Sequence, residues 1–171
     1  MAILPIRLYG DPVLRARAAE VPQVDRGARR LMRNMTDTMR EAPGIGLAAP
    51  QVGVLRRIIV WENEEDCGSL ANPVILEREG SVEGEEGCLS IPGINYPVVR
   101  SRLILVEGFD GNGDKVQLET QDLTARIIQH EVDHLNGVLF IDHLPPDLRR
   151  EAMAAIRELQ EVWAAPQEAA R

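Results

Sequence analysis

Apolar positions follow helical spacing early in the chain. Between Asp25 and Ala42, Leu31, Met32, Met35, Met39 and Ala42 recur at steps of three and four, which predicts a helix with one core-facing side; Pro43-Gly44 supplies its stop. The next segment, Gly44-Ile45-Gly46-Leu47-Ala48-Ala49-Pro50-Gln51-Val52-Gly53, carries small residues where a helix or strand would want bulk, so something is expected to approach its backbone closely. From there short runs rich in Val, Ile and Leu predict strands at Arg57 to Trp61, Ala71 to Glu77, Val98 to Gly108 and Val116 to Leu118. Asn72-Pro73 and Gly111-Asn112-Gly113-Asp114 are the turn signals among them, the second read as the tip of a hairpin between Leu103-Phe109 and Lys115-Glu119. Helical spacing returns after Asp122 with Leu123, Ile127, His130, Glu131 and His134, and ends near Asn136-Gly137. A last amphipathic helix is expected from about Asp147 to Trp163, with Leu148, Ala152, Ile156, Leu159 and Trp163 on one side. No repeat, linker or low-complexity segment interrupts the order. The sum is an α+β fold, mostly antiparallel sheet with an N-terminal, a central and a C-terminal helix.

Composition adds bounds to this picture. A length of 171 residues with 44% hydrophobic side chains fits a single domain, residues 1–171, with a real core. The formal net charge of -8 gives no signal for direct nucleic-acid binding or for grip on an anionic membrane, both of which need clustered positive charge. Residues Met1 to Asp11 lack a signal peptide's hydrophobic region and no later run reaches membrane-spanning length, so a cytoplasmic protein is expected. In that setting Cys67 and Cys88 are expected to be free thiols.

The chemistry concentrates in His130-Glu131-Val132-Asp133-His134. Two imidazoles four residues apart on a helix face the same way and can grip one metal ion, while the glutamate between them sits beside it. If that metal carries a water, the glutamate is placed to take its proton, and hydrolysis is the first reaction to consider. The chain has only three histidines, and His143, beyond the helix, reads as a surface or packing residue. A catalytic site of this type wants a third protein ligand. The longer peptidase pattern HExxHxxGxxH fails because Phe140 stands where its last histidine belongs. Downstream, Glu151 and Glu158 could serve, though both belong to a solvated helix face. Upstream, Glu86-Gly87-Cys88-Leu89-Ser90-Ile91-Pro92 presents Cys88 between turn residues and a sheet, the better candidate, against its reading as a small buried hydrophobe. Cys67 lies in an acidic surface loop and is not counted.

Three motifs in order, Gly44-Ile45-Gly46-Leu47-Ala48-Ala49-Pro50-Gln51, Glu86-Gly87-Cys88-Leu89-Ser90 and Gln129-His130-Glu131-Val132-Asp133-His134, resemble those of the peptide deformylases. Gly10-Asp11-Pro12-Val13-Leu14-Arg15 is similar to that family's N-terminal segment, and the helix after Ile141-Asp142 to its C-terminal helix, so the resemblance spans nearly the whole chain. It implies sheets packed around the central HExxH helix. It also implies a metal held by Cys88, His130 and His134, Glu131 as general acid/base, and an oxyanion held by the Gln51 side chain and the Leu89 backbone N–H. Ile45 and Gly46 would pair with an extended peptide, with Gly87 on the opposite wall. The implied reaction removes the formyl group from the N-terminal formylmethionine of new polypeptides and releases formate.

Helical spacing puts Leu123 and Ile127 on the face of His130, as candidates for the methionine pocket or for plain core packing. Asp133 is open between orienting a ligand and a surface salt bridge. One divalent ion is expected, Fe(II) in the cell by resemblance, with Zn, Ni or Co able to replace it in purified protein. Formylmethionyl nascent chains are the implied partner; ribosome contact through the C-terminal helix stays open but is not signalled electrostatically, since Arg149, Arg150, Arg157 and Arg171 are nearly balanced by acids. Some relatives carry an arginine where this chain reads Pro92-Gly93-Ile94-Asn95-Tyr96-Pro97, which leaves contacts beyond methionine open. The alternatives are another metal-dependent amidase or peptidase, and a non-catalytic metal-binding domain.

Overall fold

A computed structural model describes residues 2–164; Arg171 of the C-terminal charge pattern lies outside them. Helix α1 runs Arg26–Glu41, as its spacing predicts, and Asp25 caps it by accepting from the Ala28 N–H at 2.8 Å. Strands β1 (Gly46–Ala48), β2 (Ile58–Glu62), β3 (Cys67–Glu79), β4 (Val82–Cys88), β5 (Ile91–Arg100), β6 (Leu103–Phe109) and β7 (Lys115–Gln121) follow. Helix α2 (Asp122–Leu135) carries the histidine motif, and α3 (Pro146–Ala164) closes the described chain.

All strand pairing is antiparallel, in a five-stranded sheet of order β1-β2-β3-β6-β7 and a separate β4-β5 pair. Strand β2 shows why two helices can flank one sheet. Its side chains alternate in direction, so Ile58 and Val60 pack with Met32, Met35 and Met39 of α1. Ile59 and Trp61 pack on the other side with Ile127, Ile128 and Val132 of α2. A third cluster joins Ile91, Tyr96 and Val98 of β5 to Phe140, Ile141, Ala152 and Ile156. Eleven of the fourteen residues of α2 are buried, which makes it the central helix that the whole fold wraps.

Three expectations need correction. Asn72-Pro73 is no turn between strands: it lies within β3, where the register to β6 shifts between Ala71 and Val74 and Asn72 takes a φ of 50°. The bulge lets a proline sit in a strand without emptying a ladder position. The run from Val98 to Gly108 is two strands, broken at Ser101-Arg102, because β5 belongs to the small sheet and β6 to the large one. Strand β4 was not expected at all, since Val-Glu-Gly-Glu-Glu-Gly-Cys has little β propensity; its pairing with β5 supplies what propensity lacks. The hairpin tip holds as read, with Gly113 at φ 92° and the Asp110 N–H donating to Asp114 at 3.0 Å.

Candidate metal centre

Folding brings Cys88, at the end of β4, onto the histidine face of α2. One donor atom from each of Cys88, His130 and His134 falls within 4.8 Å of the others. Cys88 Sγ lies 3.3 Å from His134 Nε2, which lies 3.2 Å from His130 Nε2. Both histidines are buried, at 8% and 1% exposure. Glu151 and Glu158, the downstream alternatives, are exposed on α3, and Glu151 accepts from Tyr96 Oη at 3.2 Å instead.

The donor set fits a metal. A thiol sulfur and two ring nitrogens converge on one point, and three such ligands with an open fourth position are the usual make-up of a hydrolytic centre. Burial opposes charge on His130, but the Cys88 and Glu86 groups beside it hold its pKa well above the ordinary value. Burial, and then the charge on His130, push His134 well below.

His130 is oriented from behind. Its Nδ1 lies 2.9 Å from Glu86 Oε2, which directs Nε2 towards Cys88 and His134. Glu86 is itself pinned: Arg100 donates to both carboxylate oxygens at 2.8 and 2.9 Å, and Arg126 Nη1 to Oε1 at 2.8 Å. Although burial alone would raise its pKa, Arg100 and His130 hold Glu86 well below the usual carboxylate range. Asp133 takes the orienting role at one remove, accepting from Arg100 at 2.6 Å and lying 2.7 Å from His143 Nε2. Neither Glu86, Arg100 nor Arg126 was picked out as a site residue in the sequence.

Glu131 is 4% exposed, and its Oε2 has no hydrogen-bond partner. Burial pushes its pKa up to about 7. The small residues of the first motif explain themselves here, because a Cβ on Gly46 would lie 2.3 Å from Glu131 Oε1 and one on Gly44 would lie 2.6 Å from Leu89 Cδ1.

Gln51 sits in a 3-10 turn, Ala49–Val52, at 1% exposure. Its Oε1 accepts from the Ala48 N–H at 2.8 Å, so its amide nitrogen points the other way, donating to Ser90 Oγ at 3.2 Å and lying 3.5 Å from Cys88 Sγ. Ser90 was missed as a site residue; its place in the Cys88 motif was the only available signal.

A cavity of about 420 Å³ opens onto these groups. Ile45, Gly46, Gly87, Leu89, Leu123 and Ile127 all line it. Ile127 is also core, at 4% exposure, whereas Leu123 is 46% exposed and belongs to the cavity alone. The opening lies between two sheet edges: β1 is the outermost strand of the large sheet, and β4 pairs only with β5. An extended chain could add to either edge.

Residues 3–150 match the family model described as polypeptide deformylase. A peptide deformylase of Acidothermus cellulolyticus is 49% identical over 164 residues, covering 96% of this chain and 90% of that one. Among solved structures, a peptide deformylase from Legionella pneumophila superposes with a TM-score of 0.89 at 37% identity, covering 95% of this chain and 98% of its own. The peptide deformylase of Thermus thermophilus gives 0.87 at 47% identity, with coverage of 91% and 94%.

Proposed function

This chain belongs to the polypeptide deformylase family, and from that premise we propose how its own residues carry out the reaction. The protein is a metal-dependent hydrolase that removes the formyl group from the amino terminus of newly made polypeptides. The observation that carries the mechanism is Glu131: a buried carboxylate with a free oxygen, beside three converging donors, at the end of a cavity.

Cys88, His130 and His134 hold the cation. A divalent ion held there would supply Lewis acidity and make water acidic enough to serve as nucleophile at neutral pH. Glu131 takes the proton from the attacking water and passes it to the leaving amine, a task suited to a carboxyl whose pKa burial has raised to about 7. The Gln51 amide nitrogen and the Leu89 N–H donate to the oxyanion. One such donor contributes about 3 kcal/mol. Ala48 fixes the Gln51 amide oxygen and Ser90 takes one N–H, so the second N–H, 3.5 Å from Cys88 Sγ, is the one turned to the oxyanion.

The peptide lies extended between β1 and β4, with Ile45 and Gly46 on one side and Gly87 on the other. Its methionine side chain enters the apolar part of the cavity at Leu123 and Ile127. A formyl carbon bears only hydrogen, so a tight site around it would admit formyl and exclude an acetyl methyl by steric clash. A thiolate with two imidazoles accepts Fe(II), Zn, Ni or Co, and we assign Fe(II) as the ion in the cell. The whole chain acts as one catalytic domain, in the cytoplasm where its substrates are made.

Formate release from a formyl-Met peptide, measured beside acetyl-Met and unblocked peptides with metal-loaded protein, tests the reading. Formate is expected from the first alone. Its absence with the metal bound would sink the proposal.

A further inference from the structure

The exposed side of α1 breaks two local rules at once. Arg26, Arg29, Arg30 and Arg33 stand at i, i+3, i+4 and i+7, all exposed, on one face of its first two turns. Like charges four residues apart destabilise a helix, and positive charge near a helix N-terminus opposes the macrodipole. No acidic residue occupies the first turn to offset them. Between residues 22 and 36 the four arginines face a single acid, Asp25, in a chain whose net charge is -8. The second half of the helix is different: Arg40 is paired with Glu62 at 2.6 Å, and Asp37 and Glu41 stand beside it. Arg29 is held by the hairpin tip, donating to the Asn112 carbonyl at 3.0 Å. Arg26, Arg30 and Arg33 have no ion-pair partner among the described residues.

Local rules broken without a structural return mark a surface kept for something else. We propose that this face of α1 docks on the phosphate backbone of folded RNA. A groove of about 430 Å³ runs beside it, where Arg29, Arg33 and Arg40 of α1, with Asp37 as the one acid among them, face Ser69 of β3 and Gly111 of the hairpin tip. Guanidinium groups bind phosphate oxygens in bidentate fashion, and an arginine stripe spanning about 10 Å of helix reaches more than one phosphate. An anionic membrane fits less well, because among the described residues none of the large exposed hydrophobic side chains lies on α1 to enter a bilayer. The net charge of the chain conceals the patch, which is why composition gave no such signal.

The location leaves catalysis free. Helix α1 packs against the face of β2 that carries Ile58 and Val60, whereas α2 and its histidines lie against the opposite face. RNA bound to α1 would hold the enzyme with its cavity unobstructed. In the other arginine group, on α3, two of the three are paired: Arg150 pairs with Asp147, and Arg149 lies 3.4 Å from Asp142, which leaves Arg157 without an ion pair among the described residues.

The test is fluorescence anisotropy of a labelled RNA hairpin with the full-length metal-loaded protein, between about 50 and 200 mM salt. Wild-type protein is expected to bind, with log affinity falling against log salt at a slope of about -3. The triple variant R26E/R30E/R33E should lose about tenfold or more in affinity and flatten that slope. Its hydrolysis of a formyl-Met peptide should be unchanged, and its melting temperature equal or higher, because the substitutions relieve the two local conflicts. A triple variant R149E/R150E/R157E on α3 should bind RNA as wild type does. No RNA binding by wild type, loss of binding with the α3 variant alone, or binding to anionic phospholipid vesicles without binding to RNA would each overturn the proposal. These readouts stand apart from the metal site, so a failure here and a failure to release formate are separate results.

Discussion

The carboxylate of Glu131 rests against the α-carbon of Gly46, so closely that a methyl group there would come within 2.3 Å of Oε1 and 2.7 Å of Ile127 Cγ2. The carboxylate proposed as general base and the edge strand proposed to receive the peptide therefore share one contact, and moving either moves both. Gly46→Ala is expected to fold and bind metal but to lose about a hundredfold or more in kcat, the range for removing a general acid/base from its station. Steady-state kinetics with metal analysis of the same sample checks this; an unchanged kcat would mean that Glu131 has room the structure denies it.

Removing the carboxylate itself should separate chemistry from binding. Glu131→Ala should keep stoichiometric metal while turnover falls by at least about a hundredfold. Cys88→Ala should lose metal as well, since one of three converging donors is gone. Titration with Co(II) and its visible spectrum report the ligand set directly, and a fully active Cys88→Ala enzyme would overturn the assignment.

Glu86 is expected to matter for both stability and metal affinity. In Glu86→Ala the guanidinium groups of Arg100 and Arg126, 7% and 9% exposed, lose their shared carboxylate, a cost of about 3–5 kcal/mol. Loss of the acceptor behind His130 should weaken metal binding roughly 10- to 100-fold. Glu86→Gln, which still offers an oxygen to His130, should recover part of the affinity. Equal metal affinity in all three proteins would remove Glu86 from the site.

The pair Arg15 and Asp142 should report acid stability. Burial alone would raise the Asp142 pKa, but Arg15, with Nη1 at 2.5 Å, and the Leu139 N–H at 2.9 Å hold it below its ordinary value. A depressed folded pKa gives stability that is present above the unfolded value, near 4, and is lost as pH falls through the folded one. Asp142→Asn should therefore be less stable than wild type at neutral pH by about 1 kcal/mol, a small figure because Arg15 is 42% exposed. The gap should close in acid. Denaturant unfolding across pH 2–7 measures it, and a constant gap would assign the loss to something other than charge.

Gly137 tests the join between the two ends of the fold. It takes a φ of 72°, and a Cβ there would lie 2.4 Å from the Arg15 carbonyl oxygen. Backbone cannot yield as a side chain tip can, so Gly137→Ala should destabilise by about 1–3 kcal/mol. Thermal unfolding should show the drop; a neutral result would mean that the N-terminal segment can shift at little cost.

Local spacing made much of this molecule legible in advance. The three helices follow from apolar residues at steps of three and four, and the pairing of His130 with His134 follows from one turn of α2. The demand for small residues at Gly44 and Gly46 was also visible, though not that Leu89 and Glu131 were what pressed against them. Strand β4 was invisible, because its glutamates and glycines are tolerated only through pairing with β5.

The sequence by itself determined the helix faces, the hairpin tip and the pair of imidazoles with a glutamate between them, since each depends on neighbours a few positions apart. Tertiary structure alone decided that Cys88 rather than Glu151 or Glu158 meets the two histidines, that Ser90 holds Gln51, and that Arg100 and Arg126 pin Glu86 behind His130. These partners stand up to 46 positions apart, as Cys88 and His134 do, and no periodicity links them. What joins them is burial: a charged or polar group taken out of water must find its partner wherever the packed sheets and α2 bring one within reach.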